Sequence, residues 1–162
     1  MRSRIQREVD PLKKYDKLIF VDKSDTSVAP MAEAVMQDLL LLDDILVESR
    51  GLVVLFPEPV LPRVLEVFAR HDLSPAEQTS IQFKEEDFDE RTLVLTMEQS
   101  QTDKLLEAYP NAVNLSALGA FVGAPQDVPE PYGGSEDEYE QCYDQLRGLL
   151  LTLAEIIKEE DA

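Results

Sequence analysis

Residues 17–40, KLIFVDKSDTSVAPMAEAVMQDLL, carry the pattern that decides the fold of this chain. The apolar run at residues 18–21 predicts a buried strand, and a short polar loop separates it from a helix with Pro30 in its first turn. A strand, a tight loop and a helix N-terminus in this order are typical of a phosphate-binding turn. This loop nevertheless contains Asp22 and Asp25, whose carboxylates would repel phosphate. The stretch therefore predicts an anion-site architecture with an unusual chemical lining.

Strand and helix patterns alternate along the rest of the chain. Further strands are predicted at Ile45–Ser49, 91–98 and 111–116, and helices at Met31–Leu42, 59–73 and 100–110. Helix 59–73 places Val60, Val64, Val67 and Phe68 on one face. The alternation predicts an α/β fold, a three-layer sandwich with a small four-stranded parallel sheet and helices on both faces. In such sheets ligands bind at the carboxyl ends of the strands, where the loop at 22–29 lies.

The last helix has the clearest pattern in the sequence. Ser135 and Glu138 form an S-x-x-E capping box at its start. Its apolar residues recur at spacings of three and four, which predicts one buried stripe: Tyr139, Cys142, Leu146, Leu149, Leu150, Leu153 and Ile157. Cys142 is the only cysteine, which excludes an internal disulfide and a cysteine-rich metal site. Its place in the stripe predicts a core thiol, and the only histidine, His71, is predicted to be a surface or capping residue.

Composition limits the classes of partner. The 162 residues, 44% of them apolar, suit one domain over 17–162, preceded by a charged N-terminal extension at 1–16. The 33 acidic residues against 15 basic ones give a net charge of −18, which disfavours nucleic acid and anionic membranes. No segment reaches about 18 apolar residues, so we expect no membrane span and a cytoplasmic location. The acidic clusters are interpreted as solvated surface, with no metal and no cofactor.

Four segments, in order, resemble the low-molecular-weight protein tyrosine phosphatases. LIFVDKSDTSVAPMAEAV at 18–35 is similar to that family's signature, a hydrophobic strand followed by C-x-G-N-x-C-R-S-P-M-A-E-A. VESRGL at 47–52, FKEEDFDERTLVLTMEQS at 83–100 and VPEPYGGSEDEYEQCYDQL at 128–146 resemble its V-x-S-A-G, E-E-D-F with L-x-M-D/E, and D-P-Y-G-G segments. The resemblance covers nearly the whole chain from Lys17 and implies that family's fold.

The positions that match the family's site carry other residues. They are Asp22, Lys23, Ser24, Asp25, Thr26, Ser27, Val28, Ala29, Glu130 and Tyr132. By the resemblance, Asp22 replaces the nucleophilic cysteine, Val28 the phosphate-binding arginine, and Ala29 the hydroxyl that assists the thiolate. Glu130 replaces the aspartate that serves as general acid. The loop glycine, asparagine and second cysteine fall on Ser24, Asp25 and Ser27, and Gln78 stands where the family often has a histidine.

These replacements predict a catalytically inactive homologue. Phosphoryl transfer to a thiol needs a thiolate and positive charge around the equatorial oxygens. Two like charges about 4 Å apart repel by roughly 4 kcal/mol at an effective dielectric of 20, so we expect no binding of phosphate or sulfate. Binding to an unknown protein partner is the expected role. The alternative is a phosphomonoester hydrolase in which Asp22 or Glu130 performs unfamiliar chemistry.

Other active-site readings find less support in the sequence. FVDKSDTS also resembles the D-K-T-G-T motif of haloacid-dehalogenase-type phosphatases, but the downstream G-D-x-x-x-D carboxylates of that Mg²⁺ site are missing. Arsenate reduction on this scaffold needs a loop cysteine, and Thr26 or Ser27 as nucleophile has no base beside it in sequence. Ser49 matches a position that helps to hold the loop in shape. We expect Asp22 or Asp25 to turn into the loop and to satisfy its backbone N–H groups.

Overall fold

The computed structural model describes residues 15–74, 79–131 and 133–160. The strands are β1 (Lys17–Asp22), β2 (Leu46–Gly51), β3 (Thr92–Thr96) and β4 (Leu115–Ala117). The helices are α1 (Val28–Leu39), α2 (Pro62–Arg70), α3 (Gln99–Ala108), α4 (Leu118–Phe121) and α5 (Glu136–Glu160), with a 3₁₀ turn at Glu85–Asp87. Residues 1–14 of the predicted extension, together with Gln78 and Tyr132, lie outside the described residues.

The four strands form one parallel sheet in the order β2-β1-β3-β4. Lys17 of β1 is in register with Leu46 of β2 and with Thr92 of β3, and Val94 of β3 pairs with Leu115 of β4. Every residue of β3 is buried, as expected of a central strand covered on both faces. The predicted α/β class with a four-stranded parallel sheet is confirmed.

Strand side chains alternate between two apolar layers because successive residues of a strand point to opposite faces. Leu18 and Phe20 pack in a core that also contains the buried faces of α1, α2 and α5. Ile19 and Val21 pack on the other face, where α3 contributes Leu105. The sheet is therefore the middle layer of three, and the loops that follow β1, β2 and β3 all leave it at the same edge.

The last helix follows its sequence pattern closely. Its capping box forms, since Ser135 N donates to Glu138 Oε1 at 3.2 Å and Glu138 N donates to Ser135 Oγ at 3.3 Å. All seven residues of the predicted stripe are buried, among them Leu150 with no exposed surface. The Cys142 side chain lies in this core, which confirms the predicted structural thiol.

Several element boundaries differ from the predicted ones. Helix α1 begins at Val28, three residues before Met31, and ends at Leu39, so that Leu42 lies in the following loop. The N-cap is Ser27, and Pro30 still falls within the first turn, where its missing N–H costs nothing. The prediction began the helix at Met31, with Pro30 in its first turn, because proline is common at the first helical position.

Helix α2 is shorter than predicted. It begins at Pro62 rather than at residue 59, because Leu61 precedes a proline and adopts extended angles, φ −60° and ψ 145°. Val60 therefore lies before the helix, although it still packs against the core beside Val64. The remaining strands shift by a few residues, β2 to Leu46–Gly51 and β4 to Leu115–Ala117.

The two residues directly before β1 also contact the rest of the structure. Tyr15 is buried in the main core, and Asp16 N donates to Arg91 O at 3.0 Å. Within the described ranges, no helix combines the length and the apolar character needed to cross a bilayer.

Candidate functional site

The loop between β1 and α1 is closed around a side chain of its own. Asp22 is the last residue of β1 and is 4% exposed. Its Oδ1 accepts a hydrogen bond from Asp25 N at 2.6 Å, and its Oδ2 accepts one from Ala29 N at 2.9 Å. Ala29 lies in the first turn of α1, where backbone N–H groups have no partner within the helix. The prediction that a carboxylate turns into this loop is confirmed for Asp22.

Burial gives the Asp22 carboxyl an unusual affinity for a proton. Burial raises its pKa to about 7, against the lowering effect of the hydrogen bonds from Ala29 N and Asp25 N, and the negative charges of Asp25 and Glu130 add to the rise. A protonated carboxyl accepts hydrogen bonds less well than a carboxylate. The site therefore holds Asp22 near the point at which its charge changes at neutral pH.

Asp25 faces away from the centre of the loop. Its backbone has φ 57°, the left-handed region that aspartate tolerates better than most residues. Its Oδ2 accepts a hydrogen bond from Ile81 N at 2.9 Å, while Oδ1 is buried without a hydrogen-bond partner among the described residues. Burial raises the pKa of this carboxyl, and the Ser49 hydroxyl and the Arg50 charge partly offset that rise. Asp25 thus ties the loop to the chain that follows Ser80.

A second buried acid, Glu33 of α1, lies under the loop. It is 2% exposed and accepts a hydrogen bond from Ser49 Oγ at 3.4 Å. Burial raises its pKa to about 7, and the nearby charge of Asp25 raises it further. Ser49 therefore contacts the acid below the loop, which agrees with the supporting position that the resemblance assigns to it.

Arg50 supplies the positive charge closest to these acids in β2. Its Nη1 donates to Ser49 O at 2.8 Å, its Nη2 donates to Glu48 Oε1 at 3.2 Å, and its Nε lies 3.5 Å from Asp87 Oδ2. Its donors are thus directed at Glu48 and Asp87 rather than into the loop. Sequence reasoning did not single out Glu33 or Arg50, although both lie inside motif segments, M-A-E-A and V-E-S-R-G, that were compared with the family.

The remaining loop positions carry no obvious reacting group. Ser24 Oγ and Thr26 Oγ1 share a hydrogen bond of 2.7 Å, and the Ser27 hydroxyl is buried without a hydrogen-bond partner among the described residues. Neither Thr26 nor Ser27 is hydrogen-bonded to a carboxylate or an imidazole there. Val28 and Ala29 are buried in the apolar core, and Lys23 is exposed. The loop thus presents backbone N–H groups to Asp22 and apolar surface to the core.

The end of β2 fixes the outer side of the loop. Leu52 N donates to Asp22 O and Val53 N donates to Lys23 O, each at 3.0 Å. Gly51 permits this close approach, because a Cβ there would lie 2.8 Å from Ser24 C. The loop shape is therefore set by backbone contacts on both sides and by Asp22 within.

Glu130 lies close enough to influence the loop. It is half-buried, and its negative charge adds to the burial that raises the pKa values of Asp22, Tyr139 and Cys142, the last to about 11. Cys142 Sγ donates weakly to Pro129 O at 3.9 Å, so the thiol helps to hold the segment that carries Glu130. The structure thus brings Glu130 to the same edge as Asp22, while Tyr132 lies outside the described residues.

His71 has the surface role predicted for it. It caps the C-terminus of α2, its ring stacks on Tyr143 at 4.0 Å between centroids, and its Nε2 lies 2.9 Å from Glu140 Oε2. It lies among the C-terminal ends of α1 and α2 and the middle of α5, apart from the Asp22 loop. Across the described ranges, no group of three His, Cys, Asp or Glu side chains is arranged to hold a metal ion.

Comparison with known proteins places this fold and loop in a family. The family described as "Low molecular weight phosphotyrosine protein phosphatase" matches residues 17–162. The chain belongs to that family. Among curated relatives, the low molecular weight protein-tyrosine-phosphatase PtpB of Staphylococcus epidermidis is 34% identical over 134 residues, which covers 83% of this chain and 94% of PtpB. PtpB of Staphylococcus aureus is 32% identical over 143 residues, with 87% and 99% covered.

Solved structures of the family superimpose well on this chain. The YwlE arginine phosphatase of Geobacillus stearothermophilus has a TM-score of 0.82 at 29% identity, with 89% of this chain and 94% of that chain covered. A low molecular weight protein tyrosine phosphatase from T. tengcongensis has a TM-score of 0.81 at 28% identity, with 86% and 97% covered. These likenesses confirm the predicted low-molecular-weight tyrosine phosphatase fold.

Proposed function

We propose that this chain is a catalytically inactive member of its family, a pseudophosphatase that acts by binding another protein. The observation that carries the proposal is the Asp22 carboxylate, which accepts hydrogen bonds from Asp25 N and Ala29 N inside the loop. Ala29 N lies in the first turn of α1, where an anion is otherwise stabilised by the helix dipole, and Asp25 N belongs to the loop just before the helix. The loop therefore supplies its own anion, and a phosphoryl group would have to compete with that carboxylate for these two donors.

The chemistry of the loop supports the same conclusion. The chain has a single cysteine, Cys142, and that thiol lies in the core with its pKa raised by burial to about 11. A thiol with a raised pKa is a poor nucleophile, since the thiolate is the reactive form. At the position that matches the family's arginine, Val28 offers no positive charge, and a phosphate dianion would face the carboxyl group of Asp22. The loop thus has neither an arginine to bind a phosphoryl group nor a cysteine thiolate to attack it.

The alternative function is a phosphomonoester hydrolase in which Asp22 is the nucleophile. The observation in its favour is that burial raises the pKa of Asp22 to about 7, a value found at many catalytic groups. Against it, both oxygens of Asp22 are already engaged by backbone N–H groups, so neither is directed at a substrate. An attacking oxygen must lie in line with the phosphorus atom, which would require Asp22 to leave these bonds.

A turnover assay decides between the two functions. We expect hydrolysis of an aryl phosphate and of a phosphoarginine peptide to equal the buffer rate, with or without Mg²⁺. Asp38→Asn, on the exposed side of α1, is the matched control for removal of a carboxylate, and Asp22→Asn removes the candidate nucleophile. Turnover that survives repurification and the Asp38 substitution but is lost in Asp22→Asn would overturn the inactive assignment and establish the hydrolase.

A further inference from the structure

Three large apolar side chains lie exposed beside the Asp22 loop. Val53, Leu55 and Phe56 are 56%, 82% and 74% exposed, and this rim, residues 53–56, follows directly after β2. The rim borders a cavity of about 270 Å³, which Lys23 and Ser24 of the loop also line. Contiguous exposed apolar surface next to a cavity is typical of a protein interaction site rather than of ordinary solvated surface.

Hydrogen bonds to neighbouring segments hold the rim in place. Val53 N donates to Lys23 O at 3.0 Å, and Val54 N donates to Gln82 Oε1 at 2.8 Å. At the far end, Glu58 N donates to Ser80 Oγ and Ser80 N donates to Glu58 O, both at 2.8 Å. A rim tied at both ends loses little conformational freedom when a partner binds, so its exposed side chains are available as preorganised anchors.

The charges around the same edge of the sheet are predominantly negative. Glu58 lines the cavity, and Glu98, Asp127 and Glu130 follow β3 and β4 on the other side of the loop. Burial raises the pKa of Glu98, and the negative charges of Asp127 and Glu130 raise it further, while Lys104 opposes them. Asp127 and Glu130 therefore lie close enough to Glu98 to repel its charge, and a cation from outside would relieve that repulsion.

Fewer positive charges lie near this edge, and some of them already interact with acidic side chains. Lys23 lines the cavity, Lys104 acts on Glu98, and Arg63 forms an ion pair with Glu66 at 3.3 Å. A second copy of the chain would bring another net charge of −18 to the contact, so self-association is opposed by repulsion. Charge complementarity thus selects a basic occupant for an apolar site.

We propose that the rim at 53–56 docks a basic segment of another protein, whose apolar side chain enters the cavity beside Phe56 and whose lysine or arginine faces Glu130 and Glu98. The inference rests on the proposed function, because it assigns a partner to the edge at which the family's site positions lie. It differs from a phosphatase substrate in the sign of its charge: the ligand is cationic and carries no phosphate. The apolar anchor provides most of the affinity, and the carboxylates provide selectivity and salt dependence.

Selection from a display library of random peptides of about 12 residues tests the proposal, because such a library samples many combinations of charge and apolar side chains. The wild-type chain is the target, and the Leu55→Ser, Phe56→Ser double variant is the counter-target. We expect the enriched peptides to combine a net positive charge with at least one large apolar residue. Enrichment of acidic or uncharged peptides, or enrichment that the counter-target shares, or no enrichment at all, would overturn the proposal.

Affinities of the enriched peptides separate the two contributions. Leu55→Ser with Phe56→Ser should weaken binding by about tenfold or more, and Glu98→Gln with Glu130→Gln should weaken it less and reduce its salt dependence. Leu42→Ser is the matched control, because Leu42 is 98% exposed and precedes β2, at the opposite edge of the sheet. Equal losses in the Leu42 control and the rim variant would contradict a specific site.

Two further measurements distinguish a loss of the binding site from misfolding and from self-association. Circular dichroism verifies that the rim variants fold, which is expected because the substituted side chains are exposed. Sedimentation of the wild-type chain tests the competing occupant, since a dimer that Leu55→Ser and Phe56→Ser disrupts would show a second copy on the rim and overturn the basic partner. Failure of the selection leaves the turnover assay unaffected, so the inference can be wrong while the inactive assignment holds.

Discussion

The Asp22 loop and helix α5 use carboxylates in opposite ways. In the loop, burial raises the pKa of Asp22 to about 7, and only backbone N–H groups stabilise its charge. On α5, slight burial would raise the pKa of Glu140, but hydrogen bonds from His71 and Arg70 outweigh that effect and lower it. The helix carries its acids where solvent and cations stabilise them, whereas the loop keeps one at a cost in desolvation. The buried acid of the loop is therefore the feature on which the proposed inactive function rests.

The largest expected effect concerns the apolar face of α5, because this face packs in the main core of the fold. Leu150→Ala should lower the free energy of unfolding by roughly 2 to 5 kcal/mol, because Leu150 is completely buried and its truncation leaves a cavity. Chemical denaturation measures the change. Leu151→Ala is the matched control, since its side chain is 37% exposed and faces away from the core. A loss below about 0.5 kcal/mol for Leu150→Ala would contradict the position of this helix.

The pH dependence of stability distinguishes the buried acids from the surface ones. The pKa values of Asp22 and Glu33 are raised in the folded state, so the folded chain binds more protons than the unfolded chain between about pH 4 and 7. Their protonated forms stabilise the folded chain. This stabilisation is complete at a pH below the pKa that each group has in the unfolded chain, and it is lost as the pH rises through the pKa in the folded chain. We expect the free energy of unfolding to fall between about pH 5 and 7, by at most about 1.4 kcal/mol per pH unit for each group.

Substitution shows which acid causes the slope. Asp22→Asn should reduce the slope between about pH 5 and 7 to the part that Glu33 contributes, and Asp38→Asn on the exposed side of α1 should leave the slope unchanged. Glu140 has a lowered pKa, so its charged form stabilises the folded chain, and that stabilisation is lost only as the pH falls below about 4.5. A wild-type profile that rises across this range, or a slope that Asp22→Asn leaves intact, would contradict the buried-acid interpretation.

The smallest expected effect lies in the surface network of α5. Arg70 pairs with Glu136 and Glu140, and His71 with Glu140, all of them on a solvent-accessible face. Ion pairs of this kind gain little because water and salt screen them. Glu140→Gln should leave the thermal midpoint of unfolding within error of wild type at about 0.15 M salt. A large drop would show that this network, and not only the apolar stripe, holds α5 to α2.

The sequence predicts the scaffold well because each of its elements obeys a local rule. The buried run at 18–21 and the alternating strands and helices suffice for the sheet, and the spacing from Tyr139 to Ile157 suffices for α5. Boundaries near prolines are less predictable, as Pro62 illustrates, because a proline both ends one conformation and begins another. Local rules of this kind determine which residues form an element more reliably than where it begins.

The site is predictable only in part because its contacts join distant residues. The position of Asp22 and its turn into the loop follow from the need to satisfy the N–H groups of one short segment. The placement of Glu33 beneath Asp25, and of Ser49 against Glu33, depends on the packing of α1 on β2. The exposure of Leu55 and Phe56 likewise has no signal in the sequence, where both residues resemble core. Tertiary structure alone reveals these features.

A calorimetric titration with inorganic phosphate tests most directly the central claim that Asp22 fills the anion site. The wild-type chain should show no binding at millimolar phosphate, because the donors Asp25 N and Ala29 N are occupied. Asp22→Ala frees both donors and removes one negative charge, and should improve binding, most of all when Val28→Arg is added. Tight phosphate binding by the wild-type chain that Asp22→Ala does not improve would contradict the claim.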